Sequence, residues 1–104
     1  MPAKSKIIYL SPAADDIEDT VKYHLTAVGT ESAKNIYGVL KAAIGKLADY
    51  PLLGQIHPDP VLASFGYRKL VLNKTFVAIY KIIDGNVYIY RVVNGKTDYP
   101  KLLK

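Results

Sequence analysis

Lysine and arginine side chains are concentrated in the C-terminal part of this 104-residue chain, where they could bind an anionic partner. Residues 66–104 contain eight basic residues and two acidic ones, a net charge of +6, whereas residues 1–65 have a net charge of −1. The basic residues are Arg68, Lys69, Lys74, Lys81, Arg91, Lys96, Lys101 and Lys104. A surface of this sign attracts polyanions and acidic proteins. We therefore expect the functional surface to lie after residue 65, with the N-terminal part serving mainly as scaffold.

The chain offers few residues for covalent or metal chemistry. It has no cysteine, which excludes disulfides, thiolate zinc sites and cysteine nucleophiles and suits a reducing compartment. His24 and His57 are the only two histidines, too few for a multi-histidine metal site, although composition alone leaves carboxylate-bound Mg²⁺ open. We expect no metal and no cofactor. His24 is predicted as a boundary residue on the first helix, and His57 is predicted in a surface turn before Pro58.

Length and hydropathy predict one soluble domain spanning residues 1–104. Half of the residues are apolar, enough for a core without disulfides. No apolar run approaches the ~20 residues of a membrane span, and Ile7–Leu10 is too short for the apolar part of a signal peptide. We expect a cytoplasmic protein with no membrane partner.

The N-terminal part reads as a strand followed by a helix. The strand is predicted over Lys6–Leu10. Ser11 then supplies a capping hydroxyl and Pro12 fits the first helical position, where its missing N–H is harmless. Apolar residues recur at helical spacing until Gly29, a plausible helix end.

A second helix follows after very few residues. Thr30 or Ser32 can cap it, and its apolar stripe runs to about Asp49, before Pro51 forbids continuation. Two amphipathic helices joined this closely are predicted to pack as an antiparallel hairpin.

The C-terminal part reads as a three-stranded antiparallel meander. After an irregular connection over Leu52–Ser64, strands are predicted over Phe65–Leu72, Phe76–Ile83 and Val87–Val93. Asp84-Gly85-Asn86 is typical of a tight hairpin turn. The order of elements predicts an α+β fold in which the helical hairpin covers one face of the sheet.

Several short motifs follow one another along the chain in a recognisable order and spacing. They are Leu10-Ser11-Pro12-Ala13-Ala14-x-Asp16-Ile17 with Tyr23, Ile44-x-x-Leu47 with Pro51-x-x-Gly54, Tyr67-Arg68, Ile79-Tyr80, and Asn94-Gly95-Lys96-Thr97-Asp98-Tyr99-Pro100. In these motifs the chain resembles, nearly end to end, the RelE/ParE superfamily of small bacterial toxins. It is more similar to the ParE-like, plasmid-stabilisation branch than to the ribosome-dependent nucleases.

This resemblance implies a toxin that a cognate antitoxin, encoded beside it, holds inactive by wrapping it with an acidic C-terminal segment. Characterised ParE-like members act on DNA gyrase, whereas RelE-like members cleave mRNA on the ribosome. Our leading interpretation is a toxin that inhibits growth by binding a protein target such as gyrase. The alternatives are a ribosome-dependent endoribonuclease and a toxin fold that has lost toxicity and kept partner binding. The sequence leaves open whether the isolated chain forms a homodimer.

The nuclease alternative depends on a small set of residues. RNA cleavage through the 2′-hydroxyl needs a base, a cation for the charged phosphorane and an acid for the leaving oxygen. Resemblance to the nuclease branch places Arg68 near the reacting phosphate, with Lys96 and Tyr99 as the remaining catalytic groups. Val77 and Thr97 occupy positions where that branch carries arginines, so two expected cations are missing. Tyr99 could instead anchor the C-terminal end of the chain.

The predicted target- or antitoxin-binding surface consists of basic residues, namely Arg68, Lys69, Lys74, Arg91, Lys96, Lys101 and Lys104. Two of them have an alternative structural reading. Strand alternation places Arg91 on the same face as Val87, Ile89 and Val93, so it either pairs with Asp16 or Glu18 or lines a binding groove. Arg68 either serves function or is held by an ion pair with the helical hairpin.

Overall fold

The computed structural model describes residues 4–103, so Lys104 of the predicted binding surface lies outside the described residues. In chain order the elements are β1 (Ile7–Tyr9), α1 (Ser11–Ala27), α2 (Thr30–Gly45), β2 (Gln55–Ile56), α3 (Pro60–Ser64), β3 (Arg68–Val71), β4 (Phe76–Ile83) and β5 (Asn86–Asn94). A 3₁₀ turn, Lys46–Ala48, follows α2. Another, Tyr99–Leu102, lies within residues 95–103, here called the C-terminal segment.

The strands form one mixed sheet in the order β1-β5-β4-β3-β2. β1 pairs with β5 in parallel, and every other neighbouring pair is antiparallel. The helical hairpin packs on one face of this sheet, which confirms the predicted α+β architecture. The meander is β3-β4-β5, and β1 and β2 extend it at its two edges.

The main core fills the space between the helical hairpin and the sheet. Leu40, Ile44 and Leu47 from the helical side meet Tyr80 and Ile89 from the strands, and all five are fully buried. A smaller set of side chains, here called the opposite-face cluster, lies on the other face of the sheet. Its buried members are Leu62, Tyr67, Val77, Ile79 and Tyr99, with Tyr90, Val93 and Leu103 packed against them.

The alternation predicted for the last strand is wrong beyond Ile89. β4 pairs Tyr80 with Ile89 but Ile79 with Arg91, so one residue of β5 is skipped in the register. Such a bulge reverses the faces of the residues that follow it. Val92 therefore joins the main core, and Val93 packs against the opposite-face cluster.

Two local predictions in the first two-thirds of the chain are also corrected. Ser11 does not cap α1, because the helix already includes it and Leu10 occupies the cap position without a side-chain hydrogen bond. The stretch predicted as irregular contains β2 and α3. The Asp59 carboxylate caps α3 by accepting hydrogen bonds from the N–H groups of Val61 and Leu62, and the helix ends at Ser64, so strand β3 starts only at Arg68.

Among residues 4–103, no helix combines the length and the apolar character needed to cross a bilayer.

Candidate functional site

The face of the sheet opposite the helical hairpin carries Tyr99, one of the three predicted catalytic residues. α3 and the C-terminal segment both contribute to the cluster on this face: Leu62 from α3, and Tyr99 and Leu103 from the segment. Tyr99 is 6% exposed. The alternative in which Tyr99 anchors the C-terminal end of the chain therefore agrees with its burial.

His57 is the hydrogen-bond partner of Tyr99 and is itself buried. Its side chain is 4% exposed, so the prediction of a surface turn at His57 is wrong. The Nε2 atom lies 2.8 Å from the Tyr99 hydroxyl, and the Nδ1 atom accepts a hydrogen bond from the Asp59 N–H at 2.9 Å. The two rings meet edge to face. His57 thus joins the connection between β2 and α3 to the C-terminal segment.

Both members of this pair favour the neutral state at neutral pH. Burial, reinforced by the charge of Lys69, lowers the pKa of His57, while Asp59 acts in the opposite direction. Burial, with a smaller effect of Asp59, raises the pKa of Tyr99. A phenol with a raised pKa is a weak source of tyrosinate, so Tyr99 is better suited to donate a proton than to accept one.

Arg68 is held against the loop formed by residues 51–54. Its Nε and Nη2 atoms donate to the Gly54 carbonyl at 3.0 and 2.7 Å, and Nη2 lies 3.5 Å from the Leu52 carbonyl oxygen. The Tyr80 hydroxyl secures the same loop by donating to the Pro51 carbonyl at 2.7 Å and accepting from the Gly54 N–H at 3.0 Å. The structural role of Arg68 is therefore to bind backbone carbonyls, not to form the ion pair with the helical hairpin that the sequence suggested.

The three residues of the catalytic prediction have different surroundings. Arg68 pairs with Tyr80 on β4, whereas Asn94, just before the turn that carries Lys96, pairs with Phe76. Four residues along a strand correspond to about 13 Å. Lys96 is exposed, while the hydroxyl of Tyr99 is engaged by His57. The described contacts join none of the three to another, and their catalytic role stays a prediction.

Arg91 binds Asp16, as one of the two alternatives predicted. Its Nε and Nη2 atoms donate to the two carboxylate oxygens at 2.7 and 2.8 Å. The hydrogen bond from Asp16 raises the pKa of the Arg91 guanidinium, which stays charged. Because both side chains are largely buried, this guanidinium is turned towards α1 and not towards an external partner.

The remaining predicted cations divide into two groups. Lys74, Lys96 and Lys101 are exposed, and Lys101 forms a surface ion pair with Asp98 at 3.0 Å. Lys69 is half-buried on β3. The half-buried Lys81 lies on the face of the opposite-face cluster, with its ammonium 4.3 Å from the Tyr67 ring centroid. A lysine in this position gains a cation–π contact.

A groove of about 430 Å³ opens on the other side of the molecule, beside the helical hairpin. Tyr9, Ile17, Val21 and Tyr37 supply apolar surface to its walls, and the Lys41 ammonium lies 4.0 Å over the Tyr9 ring. Sequence reasoning assigned these residues to helices and core and so missed the groove. Only the packing of β1, α1 and α2 against one another brings them together.

No group of three potential metal-binding side chains exists within residues 4–103.

Comparison with known proteins relates the whole arrangement to one family. The family model described as "ParE toxin of type II toxin-antitoxin system, parDE" matches residues 7–99. No curated protein sequence matches the chain.

Three solved structures share the fold. The chromosomal ParDE toxin–antitoxin system of P. aeruginosa aligns with a TM-score of 0.74 at 18% identity, covering 88% of this chain and 96% of the other. The RelBE2 toxin–antitoxin complex of Mycobacterium tuberculosis aligns with a TM-score of 0.59 at 23% identity, covering 88% and 98%. YafQ of E. coli aligns with a TM-score of 0.56 at 20% identity, covering 88% and 94%. Identities this low establish a common fold and no more.

Proposed function

Because the chain belongs to the family of ParE toxins of type II toxin–antitoxin systems, we propose that it inhibits growth by binding a protein target, DNA gyrase being the favoured one. The observation that carries this proposal is the basic surface after residue 65. Its exposed cations are Lys74, Lys96 and Lys101, and the half-buried Lys69 adds to them. Exposed charges of one sign suit recognition of an acidic protein surface, where they speed encounter and select the partner.

The internal role of both arginines favours binding over RNA cleavage. Arg68 binds carbonyls of the 51–54 loop, and Arg91 binds Asp16. Neither guanidinium is therefore poised for a phosphate, which is the group that bidentate arginines serve in nucleic-acid enzymes. Within the proposed function, Arg68 supports the loop, and the lysines make the contacts to the target.

We further propose that a cognate antitoxin neutralises the protein with an acidic segment carrying apolar anchors. The groove beside the helical hairpin suits such a segment, because Lys41 lies beside the apolar side chains of Ile17 and Val21, whereas Lys22 is paired with Glu18 at 2.7 Å. Two of the structural relatives are described as a toxin–antitoxin system and a toxin–antitoxin complex. An amphipathic helix laid into an apolar groove with basic edges would bury both its apolar and its acidic residues.

The first experiment is pulse-labelling of DNA and protein synthesis in the minutes after induction of the toxin. We expect DNA synthesis to fail before translation. Earlier failure of translation, with cleaved messages, would instead support the endoribonuclease, and intact synthesis of both would support a non-toxic binding protein.

A purified-gyrase assay tests where the active surface lies. The triple variant Lys74→Ala, Lys96→Ala and Lys101→Ala removes three exposed positive charges from the proposed surface. Its matched control, Lys4→Ala, Lys34→Ala and Lys46→Ala, removes three exposed charges from the N-terminal part. We expect inhibition of supercoiling to weaken about tenfold in the first triple variant, corresponding to ~1.4 kcal/mol. Equal losses in the two variants would contradict this location.

A further inference from the structure

We propose that His57 is a proton-sensitive positioning residue that holds the C-terminal segment on the sheet and so controls how Lys96 and Lys101 are presented. This inference rests on the proposed function for its biological meaning, because it concerns the regulation of the same basic surface. The contact between His57 and the C-terminal segment does not depend on which target the protein binds.

The C-terminal segment is fixed at both of its ends. At the start, Asn94 accepts hydrogen bonds from the N–H groups of Lys96 and Thr97. At the end, Tyr99 and Leu103 pack into the opposite-face cluster. The hydrogen bond from His57 to the Tyr99 hydroxyl joins this end to the connection before α3. Lys96 lies beside the first fixed point, and Lys101 lies between Tyr99 and Leu103 at the second. The positions of the two lysines therefore depend on how the segment is held at its two ends.

The hydrogen bonds of His57 define its tautomer. Nδ1 accepts from the Asp59 N–H at 2.9 Å, so it carries no proton. The single ring proton of the neutral imidazole is then on Nε2, which donates to the Tyr99 oxygen at 2.8 Å. A second proton could be added only at Nδ1, where it would meet the Asp59 N–H. Protonation and the observed contact with Asp59 are therefore mutually exclusive.

The charged and titratable groups around His57 come from three elements. The positive charge of Lys69 on β3 disfavours the protonated imidazole of His57, and the Asp59 carboxylate favours it. That carboxylate already accepts hydrogen bonds from the N–H groups of Val61 and Leu62. Tyr67 accepts the His57 N–H with its backbone carbonyl, and Tyr99 faces the ring from the C-terminal segment. Burial and Lys69 together outweigh Asp59, and the pKa of His57 is lowered.

The sign of the pH effect follows from this lowered pKa. The folded state with the segment in place binds fewer protons at His57 than the released or unfolded state, in which a histidine titrates near ~6.5. Docking of the segment is thus fully favoured above ~6.5 and is weakened as the pH falls from there through the folded-state pKa. Release would expose the opposite-face cluster and free Lys96 and Lys101 from their fixed positions.

The test is a pH titration of the full chain by amide NMR, following the amides of residues 97–99 and 101–103. The native protein should show a transition in these amides with a midpoint below ~6.5. His57→Gln keeps an uncharged side-chain N–H that can donate to Tyr99, and should dock the segment without the transition. His24→Gln is the matched control: it removes the other histidine, which is half-buried on α1 and bonded to Ser32. It should keep the transition.

A transition that persists in His57→Gln, or its absence from the native protein, would overturn the proposal. His57→Ala adds a readout at neutral pH, where its C-terminal amides should resemble those of the native protein at low pH. Gyrase inhibition measured on the same samples separates the two claims. If the native protein does not inhibit gyrase, the proposed function fails, while the titration still decides whether His57 holds the segment.

Discussion

The Asp16 carboxylate on α1 accepts three hydrogen bonds from β5, two from the Arg91 guanidinium and one from the Val92 N–H. β1 pairs with β5 only as far as Ile89, so the edge of β5 is open at Val92. Asp16 provides the acceptor that a longer β1 would have provided. One carboxylate thus completes the strand edge and neutralises the Arg91 guanidinium.

Removing either member of this pair should destabilise the protein. The side chains of Arg91 and Asp16 are 24% and 15% exposed, so solvent screens the pair little. We expect Asp16→Ala to lower the free energy of unfolding by about 2 kcal/mol, because a largely buried guanidinium and a backbone N–H lose their acceptor. Urea denaturation measures the loss, and Asp15→Ala, at the exposed neighbouring carboxylate, should change stability by no more than ~0.5 kcal/mol.

A double-mutant cycle isolates the interaction itself. Because each single variant leaves the other charge without its partner, Asp16→Ala combined with Arg91→Ala should cost about 1–2 kcal/mol less than the two single losses together. Additive losses would mean that the two side chains stabilise the fold independently.

We expect alanine to have opposite effects on stability at two glycines, Gly54 and Gly45. A Cβ atom at Gly54 would come within 2.7 Å of both the Lys69 carbonyl oxygen and the Tyr80 ring, where backbone and a buried side chain cannot move aside. Gly54→Ala should therefore cost ~2 kcal/mol or more and displace the 51–54 loop. Gly45 ends α2 with helical backbone angles and has open space around it. Gly45→Ala should raise stability by about 0.5–1 kcal/mol, and thermal unfolding of both variants tests the contrast.

The sequence predicted those parts of the fold that depend on local periodicity. Both long helices and the hairpin between β4 and β5 follow from apolar spacing and turn residues, and all three are present. The bulge beside Arg91 was missed, because the prediction assumed uniform alternation along the strand, whereas the register with β4 skips one residue of β5. The capping signal Asp59-Pro60 was available in the sequence and would have located α3.

The candidate site was less predictable for a related reason. Charge composition located the exposed lysines, because exposure needs no partner. Burial of His57 could not be inferred from the residues around it, since its partner Tyr99 lies 42 positions further along the chain. The packing of the opposite-face cluster, which joins α3, β4 and the C-terminal segment, determines this contact.

Stability should decline at alkaline pH through two buried tyrosines. Burial raises the pKa values of both Tyr67 and Tyr99. The folded state therefore holds these protons at a pH where the unfolded chain, with tyrosines near ~10, has released them. Their contribution is complete below ~10 and is lost as the pH rises through the folded-state pKa values. Denaturation measured across this range should show that the free energy of unfolding falls less steeply with pH in Tyr67→Phe and in Tyr99→Phe. Tyr23→Phe is the control for the loss of one phenol, because the Tyr23 ring is 65% exposed.

Arg68 and Lys69 are neighbours on opposite faces of β3, and we expect Arg68 to support the 51–54 loop and Lys69 to contact the target. Arg68 donates to the carbonyls of Gly54 and Leu52, whereas Lys69 pairs with Ile79, a member of the opposite-face cluster. Arg68→Ala should lower the free energy of unfolding by about 1–3 kcal/mol, because two carbonyls lose a charged donor. Arg68→Lys should recover part of this loss, since an ammonium can reach one carbonyl but cannot match the planar fork.

At equal concentrations of folded protein, both Arg68 variants should inhibit gyrase within about threefold of the native protein, a difference below ~1 kcal/mol. Lys69→Ala should show the converse, weaker inhibition with stability nearly unchanged, because it removes a charge of the proposed surface. Loss of growth arrest in Arg68→Lys without loss of stability would assign Arg68 to the target or to a reacting phosphate. Codon-positioned cleavage of mRNA that disappears in Arg68→Lys would assign Arg68 to a reacting phosphate and would support the endoribonuclease over a toxin that binds a protein target.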